Sequence, residues 1–344
     1  MKADIKSLLP EEIAEALAEM GEPKYRAKQI FAWLSRGVSS FEEMSDLSKR
    51  LRAALEARFF ITRPKVIRKQ VSQLDGTIKY LWELSDGNAV ETVVMRYKHG
   101  CTVCISTQVG CRQGCVFCAS AIGGLVRNLS PAEMLDEVLF SQRDSGKAIS
   151  NIVLMGIGEP LDNYEHVIKF LKLVNNSNGM AIGMRHIALS TCGLTEKIDK
   201  LAELNLQLTL SVSLHAADDE TRARLMPANR GRGVAALVSA CRRYFEKTGR
   251  RVSFEYAMID GVNDTPGHAR LLAQRARECG AHINLIPLNR VTERAFRPSS
   301  RSNLKRFIGI LDEHGANSTV RRRLGGDVEA SCGQLRKKAA EIGR

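Results

Sequence analysis

Apolar positions recur along this chain with changing period, and each period predicts a different kind of element. Over residues 1–62 the spacing is helical: Ile13, Leu17 and Met20 share one face, Ile30, Phe31 and Leu34 a second, and Leu47, Leu51 and Leu55 a third. Pro10 and Pro23 stand where a proline opens a helix, at the first helical position. Between the stripes lie Lys24, Arg26, Lys28, Arg36, Lys49, Arg50, Arg52 and Arg58, which make either a solvated basic surface or a face that meets RNA. From Lys65 to Tyr97 the period falls to two. Strands at 66–71, 78–84 and 89–95 are predicted, joined by a two-residue turn at Asp75-Gly76 and a second turn at Asp86-Gly87. Glu91 interrupts the apolar run Val90, Val93, Val94 and Met95, so its carboxylate either faces solvent or serves as an acid/base group at the edge of a site.

From Cys101 onward apolar strands and amphipathic helices alternate. Strand patterns fall at 101–108, 149–155, 186–191, 207–214, 252–258 and 281–288. Helical patterns lie between them at 131–143, 164–175, 194–204, 234–247 and 266–279, followed by a last helix at 303–313 and a short strand at 318–324. Six β/α units make a doubly wound sheet or a partial (β/α) barrel, and both gather ligand groups at the C-terminal ends of the strands. Unusual residues recur there. A cysteine loop follows the first strand, and a glycine-rich segment with Gly156, Gly158, Glu159 and Asn163 follows the second. Ser190 closes the third, Ser213 and His215 the fourth, and Asn289 follows the sixth. Each alone reads as a cap or turn; in register they predict a pocket.

The cysteine loop, Cys111, Cys115 and Cys118, has CxxxCxxC spacing, which wraps three thiols around one face of a metal centre. Soft thiolates select zinc or iron–sulfur clusters, and a closed structural zinc site needs four ligands, usually from two knuckles. No second knuckle exists here, so the spacing favours a four-iron cluster with one iron left open; the bland alternatives are an incomplete zinc site or three buried cysteines. Cys332 lies in a glycine-flanked segment, and Cys104 sits on the strand that feeds the loop.

Composition adds a partner and a compartment. The 344 residues carry a formal net charge of +13, which favours a polyanionic partner. Nine cysteines without a framework pattern point to a reducing compartment, and no apolar run is long enough to serve as a leader or a membrane span, so a cytoplasmic protein is expected.

The CxxxCxxC loop with Phe117 before its last cysteine resembles the radical S-adenosylmethionine (SAM) superfamily. The segments around Cys104–Cys111, Arg127-Asn-Leu, Gly158–Asn163, Leu189–Gly193, Ser213-Leu-His215, Asn284–Asn289 and Val320–Leu335 resemble its RlmN family, whose members methylate the C2 carbon of adenosine in 23S ribosomal RNA and in certain transfer RNAs. The resemblance runs from about Glu91 to Leu335. It implies a partial (β/α)6 radical-SAM barrel at 98–325, a small N-terminal helical domain at 1–62 that contacts RNA, a short β-rich connection at 63–97, and a C-terminal tail at 326–344 carrying Cys332.

By resemblance Cys111, Cys115 and Cys118 hold a [4Fe-4S] cluster, and Gly158, Glu159, Ser190, Ser213, Leu214, His215 and Asn289 bind SAM, two molecules being used per turnover. Cys332 carries the methyl group, Glu91 accepts the C2 proton, and Cys104 resolves a covalent protein–RNA intermediate by forming a disulfide. An electron donor such as flavodoxin or ferredoxin is implied, no membrane is involved, and a monomer is expected. Cys101, Cys192, Cys241 and Cys279 are left as structural. The chain departs from the family pattern at 228–233, where a loop that bears on substrate contacts is trimmed. The nearest rival is a Cfr-type enzyme that methylates C8, against which Val109 and Arg127-Asn-Leu speak. A second is a non-enzymatic RNA-binding protein with a zinc or redox-sensing centre. Arg321–Arg323 and the N-terminal helices are the candidate RNA-docking surfaces.

Overall fold

Three short helices open the chain: α1 (Pro10–Glu19), α2 (Arg26–Leu34) and α3 (Lys49–Arg58). Pro10 is the first residue of α1, and the Glu12 carboxylate accepts from the Leu9 N–H at 2.7 Å, so the helix start is satisfied without a capping hydroxyl. Pro23 instead precedes α2 by a turn, its carbonyl accepting from the Arg26 N–H. The three apolar stripes close on one another as a small core, joined by Leu173 from the next domain layer. A two-residue parallel pair, β1 (Ala3–Asp4) with β2 (Phe59–Phe60), ties the ends of the module together. The computed structural model describes residues 2–98, 100–229 and 233–335. Arg230, Gly231 and Arg232 of the trimmed loop and the end of the C-terminal tail lie outside the described residues.

One ten-stranded sheet organises the rest. Its antiparallel part is β3 (Lys65–Val71), β4 (Ile78–Glu83), β5 (Ala89–Tyr97) and β6 (Gly100–Cys104). A separate pair, β7 (Gln108–Gly110) with β8 (Leu125–Asn128), brackets the cysteine loop. Beyond β6 the strands run parallel: β9 (Ile149–Leu154), β10 (Ile187–Thr191), β11 (Thr209–Ser213), β12 (Ser253–Met258), β13 (His282–Pro287) and β14 (Ser318–Val320). Helices α4 (Pro131–Ser145), α5 (Tyr164–Asn175), α6 (Thr195–Glu203), α7 (Asp219–Leu225), α8 (Val234–Thr248), α9 (Pro266–Cys279) and α10 (Arg301–Glu313) cross between them. Consecutive parallel neighbours with helical crossovers form an open barrel wall, and its apolar strands and helix stripes share one core. Among the described residues no helix is long and apolar enough to cross a membrane.

Four elements differ from the pattern reading, each for a local reason. The first barrel strand stops at Cys104 rather than Gln108, because the Ser106 N–H turns to the Glu137 carboxylate and the Thr107 N–H to the Ile157 carbonyl. The β3–β4 turn spans residues 72–77, closed by the Ser72 N–H on the Thr77 carbonyl, not two residues at Asp75-Gly76. Helix α7 is additional; it is capped by Asp218, whose carboxylate accepts from the Thr221 N–H at 2.7 Å. The last strand ends at Val320, short of residue 324.

The N-terminal module is fastened to α4 by a buried charge cluster. Lys6 donates to the Asp136 carboxylate and the Thr62 carbonyl, and the Thr62 hydroxyl donates to Asp4 and Asp136 at 2.7 and 2.8 Å. Both members of the ion pair are withdrawn from solvent, so neither tolerates loss of the other.

Candidate active site

The C-terminal ends of the parallel strands surround a cavity of about 980 Å³. Cys111, Cys115 and Cys118 all line it, held by backbone bonds from remote elements. The Cys111 N–H donates to the Gly124 carbonyl, Val116 to the Leu225 carbonyl at the end of α7, and Ala119 to the Gly333 carbonyl of the C-terminal segment. The loop is therefore pinned between β7–β8, α7 and the segment that carries Cys332. Burial pushes the Cys111 thiol up to about 12 and raises Cys115 and Cys118 as well. Such thiols bind soft metals only because the metal removes their protons. Among the described residues no three His, Cys, Asp or Glu converge at the spacing of a single ion. Three cysteines of one loop that line the same cavity are a soft donor set that fits an iron–sulfur cluster.

Opposite the loop, the end of β9 supplies a backbone cradle. A Cβ on Gly156 would meet the Ile105 carbonyl oxygen at 2.5 Å. One on Gly158, whose φ is +109°, would meet the Gln108 nitrogen at 2.8 Å. Glu159 is buried beside them, and its carboxylate accepts from the Cys192 N–H at 2.7 Å and the Leu161 N–H at 3.0 Å. Burial raises its pKa, opposed by those backbone donors. Ser190 and Ser213 face each other with hydroxyls 3.5 Å apart at the ends of β10 and β11. His215 takes a positive φ of +56° and accepts from the Ala257 N–H through Nδ1 at 3.0 Å, which fixes the proton on Nε2. Burial, and then the nearby Arg222, lower its pKa to about 3, so the ring is neutral, packed edge-on to Phe117. Asn289 donates to the Cys332 carbonyl, while its buried Oδ1 has no partner among the described residues. An acceptor without a partner among the described residues and a buried carboxylate, both lining the cavity, fit a cofactor with an amino group and an adenosine.

Cys332 lines this cavity and also an adjoining one of about 590 Å³, which it shares with Cys104. All nine cysteines are free thiols. Burial raises the Cys104 thiol far above its ordinary value, with Cys332 adding to the rise and Arg321 opposing it. Glu91 lies elsewhere: it lines a third cavity, of about 620 Å³, with Lys79 and the segment 327–329. Leu214 sends its side chain into the main core and offers the site only its backbone.

Several residues at the site escaped the sequence reading. Arg321, grouped there with its neighbours as an RNA-docking residue, turns inward to both cysteine cavities, where it pairs with Glu255 at 3.1 Å; Arg322 and Arg323 stay exposed. Cys192 lines the cysteine cavity, its thiol donating to Gln113. Arg222 on α7 is a buried cation whose guanidinium donates to the carbonyls of Cys192, Ser213 and Leu214, tying the ends of β10 and β11 together; nothing in its local sequence marks it as buried.

Comparison with known proteins agrees with this geometry. Residues 105–272 match the model of the radical SAM superfamily, and residues 3–61 match one described as the ribosomal RNA large subunit methyltransferase N-terminal domain. A protein of Alkaliphilus oremlandii named probable dual-specificity RNA methyltransferase RlmN is 51% identical, the match covering 98% of each chain. One of the same name from Caldanaerobacter subterraneus is 50% identical over 99% of each chain. The crystal structure of a radical SAM methyltransferase from Sphaerobacter thermophilus superposes with a TM-score of 0.92 at 43% identity, covering 97% of this chain and 99% of that one.

Proposed function

This chain belongs to the RlmN family of radical SAM RNA methyltransferases, and we propose that it methylates the C2 carbon of a specific adenosine in 23S ribosomal RNA and in transfer RNA. The observation that carries this reading is the position of Cys332. It lines both the cavity of the cysteine loop and the adjoining one that holds Cys104. A methyl carrier that must first meet SAM and afterwards a resolving thiol needs such a position.

Adenine C2 is electron-poor and does not attack an electrophilic methyl group, so the reaction requires one-electron chemistry and a carrier. Cys111, Cys115 and Cys118 would hold the [4Fe-4S] cluster. Gly158, Glu159, Ser190, Ser213, His215 and Asn289, with the Leu214 backbone, would hold SAM. Bound there, cluster and SAM would supply the methyl group and a radical able to remove hydrogen from carbon. The Cys332 thiolate would accept the methyl group of one SAM, releasing S-adenosylhomocysteine, and after loss of a hydrogen atom that carbon would bond to C2, the unpaired electron of the adduct passing back to the oxidised cluster. Glu91 then takes the C2 proton. The Cys104 thiolate attacks the Cys332 sulfur, the bond from that sulfur to the transferred carbon breaks as the carbon takes up a proton, a Cys104–Cys332 disulfide forms, and methylated RNA leaves. Two electrons must reduce that disulfide before the next turnover. The target base has to be unstacked to reach a cavity at the strand ends.

The net charge of +13 and the exposed Arg322 and Arg323 support RNA as substrate. The protein acts in the cytoplasm as a monomer, with a flavodoxin- or ferredoxin-like donor supplying electrons. Anaerobic reconstitution with iron and sulfide, followed by mass spectrometry of nuclease-digested 23S fragments and transfer RNA, tests the reading. 2-Methyladenosine in both RNA classes is expected, and 8-methyladenosine as sole product overturns it.

A further inference from the structure

Lys79 stands in strand β4 on the same sheet face as Glu91, one diagonal step away: Leu81 pairs with Glu91 and Lys79 with Val93 across the β4–β5 ladder. Its ammonium lies 3.0 Å from a Glu91 oxygen, with both side chains almost wholly withdrawn from solvent, 7% and 3% exposed. The same ammonium donates to the Glu329 carbonyl at 3.1 Å, three residues before Cys332. Glu329 has a positive φ of +50°, a conformation that the surrounding contacts must hold for a non-glycine residue. The rest of the segment is docked on the β3–β4 turn. Asp327 accepts from the Ser72 hydroxyl at 2.6 Å and the Gln73 N–H at 2.9 Å, and Asp75 accepts from the Gly325 N–H at 2.9 Å.

We propose that Lys79 is the positioning residue of the proton-removal step, holding the Glu91 carboxylate ionised and aimed while anchoring the segment that carries Cys332. The proposal rests on Glu91 being the base. A carboxylate buried without a cation favours its protonated form and cannot accept a proton; an opposite charge in contact reverses that preference. The charged groups facing Glu91 in its cavity are Lys79 of β4, Arg68 of β3, and Asp327 and Glu329 of the C-terminal segment, with Cys104 one strand away on β6. Asp327 is engaged by Ser72 and Gln73, and among the described residues Lys79 is a cation in contact with the Glu91 carboxylate. No motif or spacing marks Lys79, because its role exists only through partners 12 and 250 residues away.

The test isolates the base step from resolution by working in a Cys104→Ala background, where the covalent adduct forms and stays. RNA carrying deuterium at the target C2 is reacted with the reconstituted enzyme between pH 6 and 9, and label loss from the adduct is read by mass spectrometry. Lys79→Gln removes the charge but keeps a donor for the Glu329 carbonyl. It is expected to move the pH midpoint of label loss upward by about 1–3 units, while Lys79→Arg keeps the original midpoint. Cys332 methylation, read as intact mass in the same samples, reports that fold and the earlier half of the reaction survive. A Lys79→Gln variant whose label loss slows equally at every pH, or keeps the parental midpoint, overturns the proposal. Label loss undiminished in Glu91→Gln overturns instead the assignment of the base, so the two failures are distinct.

Discussion

The Asn289 side-chain amide donates to the Cys332 carbonyl at 3.1 Å, joining the end of β13 to the C-terminal segment. Its Oδ1 is buried and has no partner among the described residues. That buried acceptor beside Cys332 is expected to be filled by bound SAM. Asn289→Ala is therefore expected to weaken SAM binding by about tenfold, the value of one good hydrogen bond of about 1.4 kcal/mol. Calorimetric titration of SAM into the reconstituted protein measures it.

Burial lowers His215 to about 3 from its ordinary 6.5, so the folded chain refuses a proton that the unfolded chain takes up. The stability this contributes is complete above about pH 6.5 and is lost as the pH falls toward about 3, at up to about 1.4 kcal/mol per unit. Chemical unfolding of wild type and His215→Gln across that window is expected to show a shallower pH dependence in the variant.

Lys6 and Asp136 form the ion pair that fastens the N-terminal module to the barrel. Lys6→Met strands a buried carboxylate and is expected to cost about 3–5 kcal/mol in urea unfolding. A second substitution, Asp136→Leu, is expected to recover most of that loss, because it removes the unpaired charge.

The barrel was legible because its strands are continuous apolar runs and its helices keep strict stripes, so local sequence and tertiary burial agree. The strand ends that line the cavity were legible for the same reason: Ser190, Ser213 and Asn289 close or follow those runs. Misreadings arose where distant groups intervene. The turn at 72–77 looked like a tight hairpin, but Ser72 and Asp75 are recruited by the segment at 325–327. Arg321 read as one of three surface arginines until the strand sent it inward to Glu255. Lys6, Lys79 and Arg222 are cations whose burial depends wholly on partners elsewhere in the chain, and composition assigns such residues to the surface.

The division of labour between Cys332 and Cys104 is tested most directly by trapping. The reconstituted Cys104→Ala and Cys332→Ala variants are incubated with SAM, reductant and substrate RNA, digested, and mapped by mass spectrometry for a nucleotide covalently attached to the chain. The account predicts an adduct in Cys104→Ala, attached at Cys332, and none in Cys332→Ala. Equal adduct in both variants, or attachment at another residue, would contradict it.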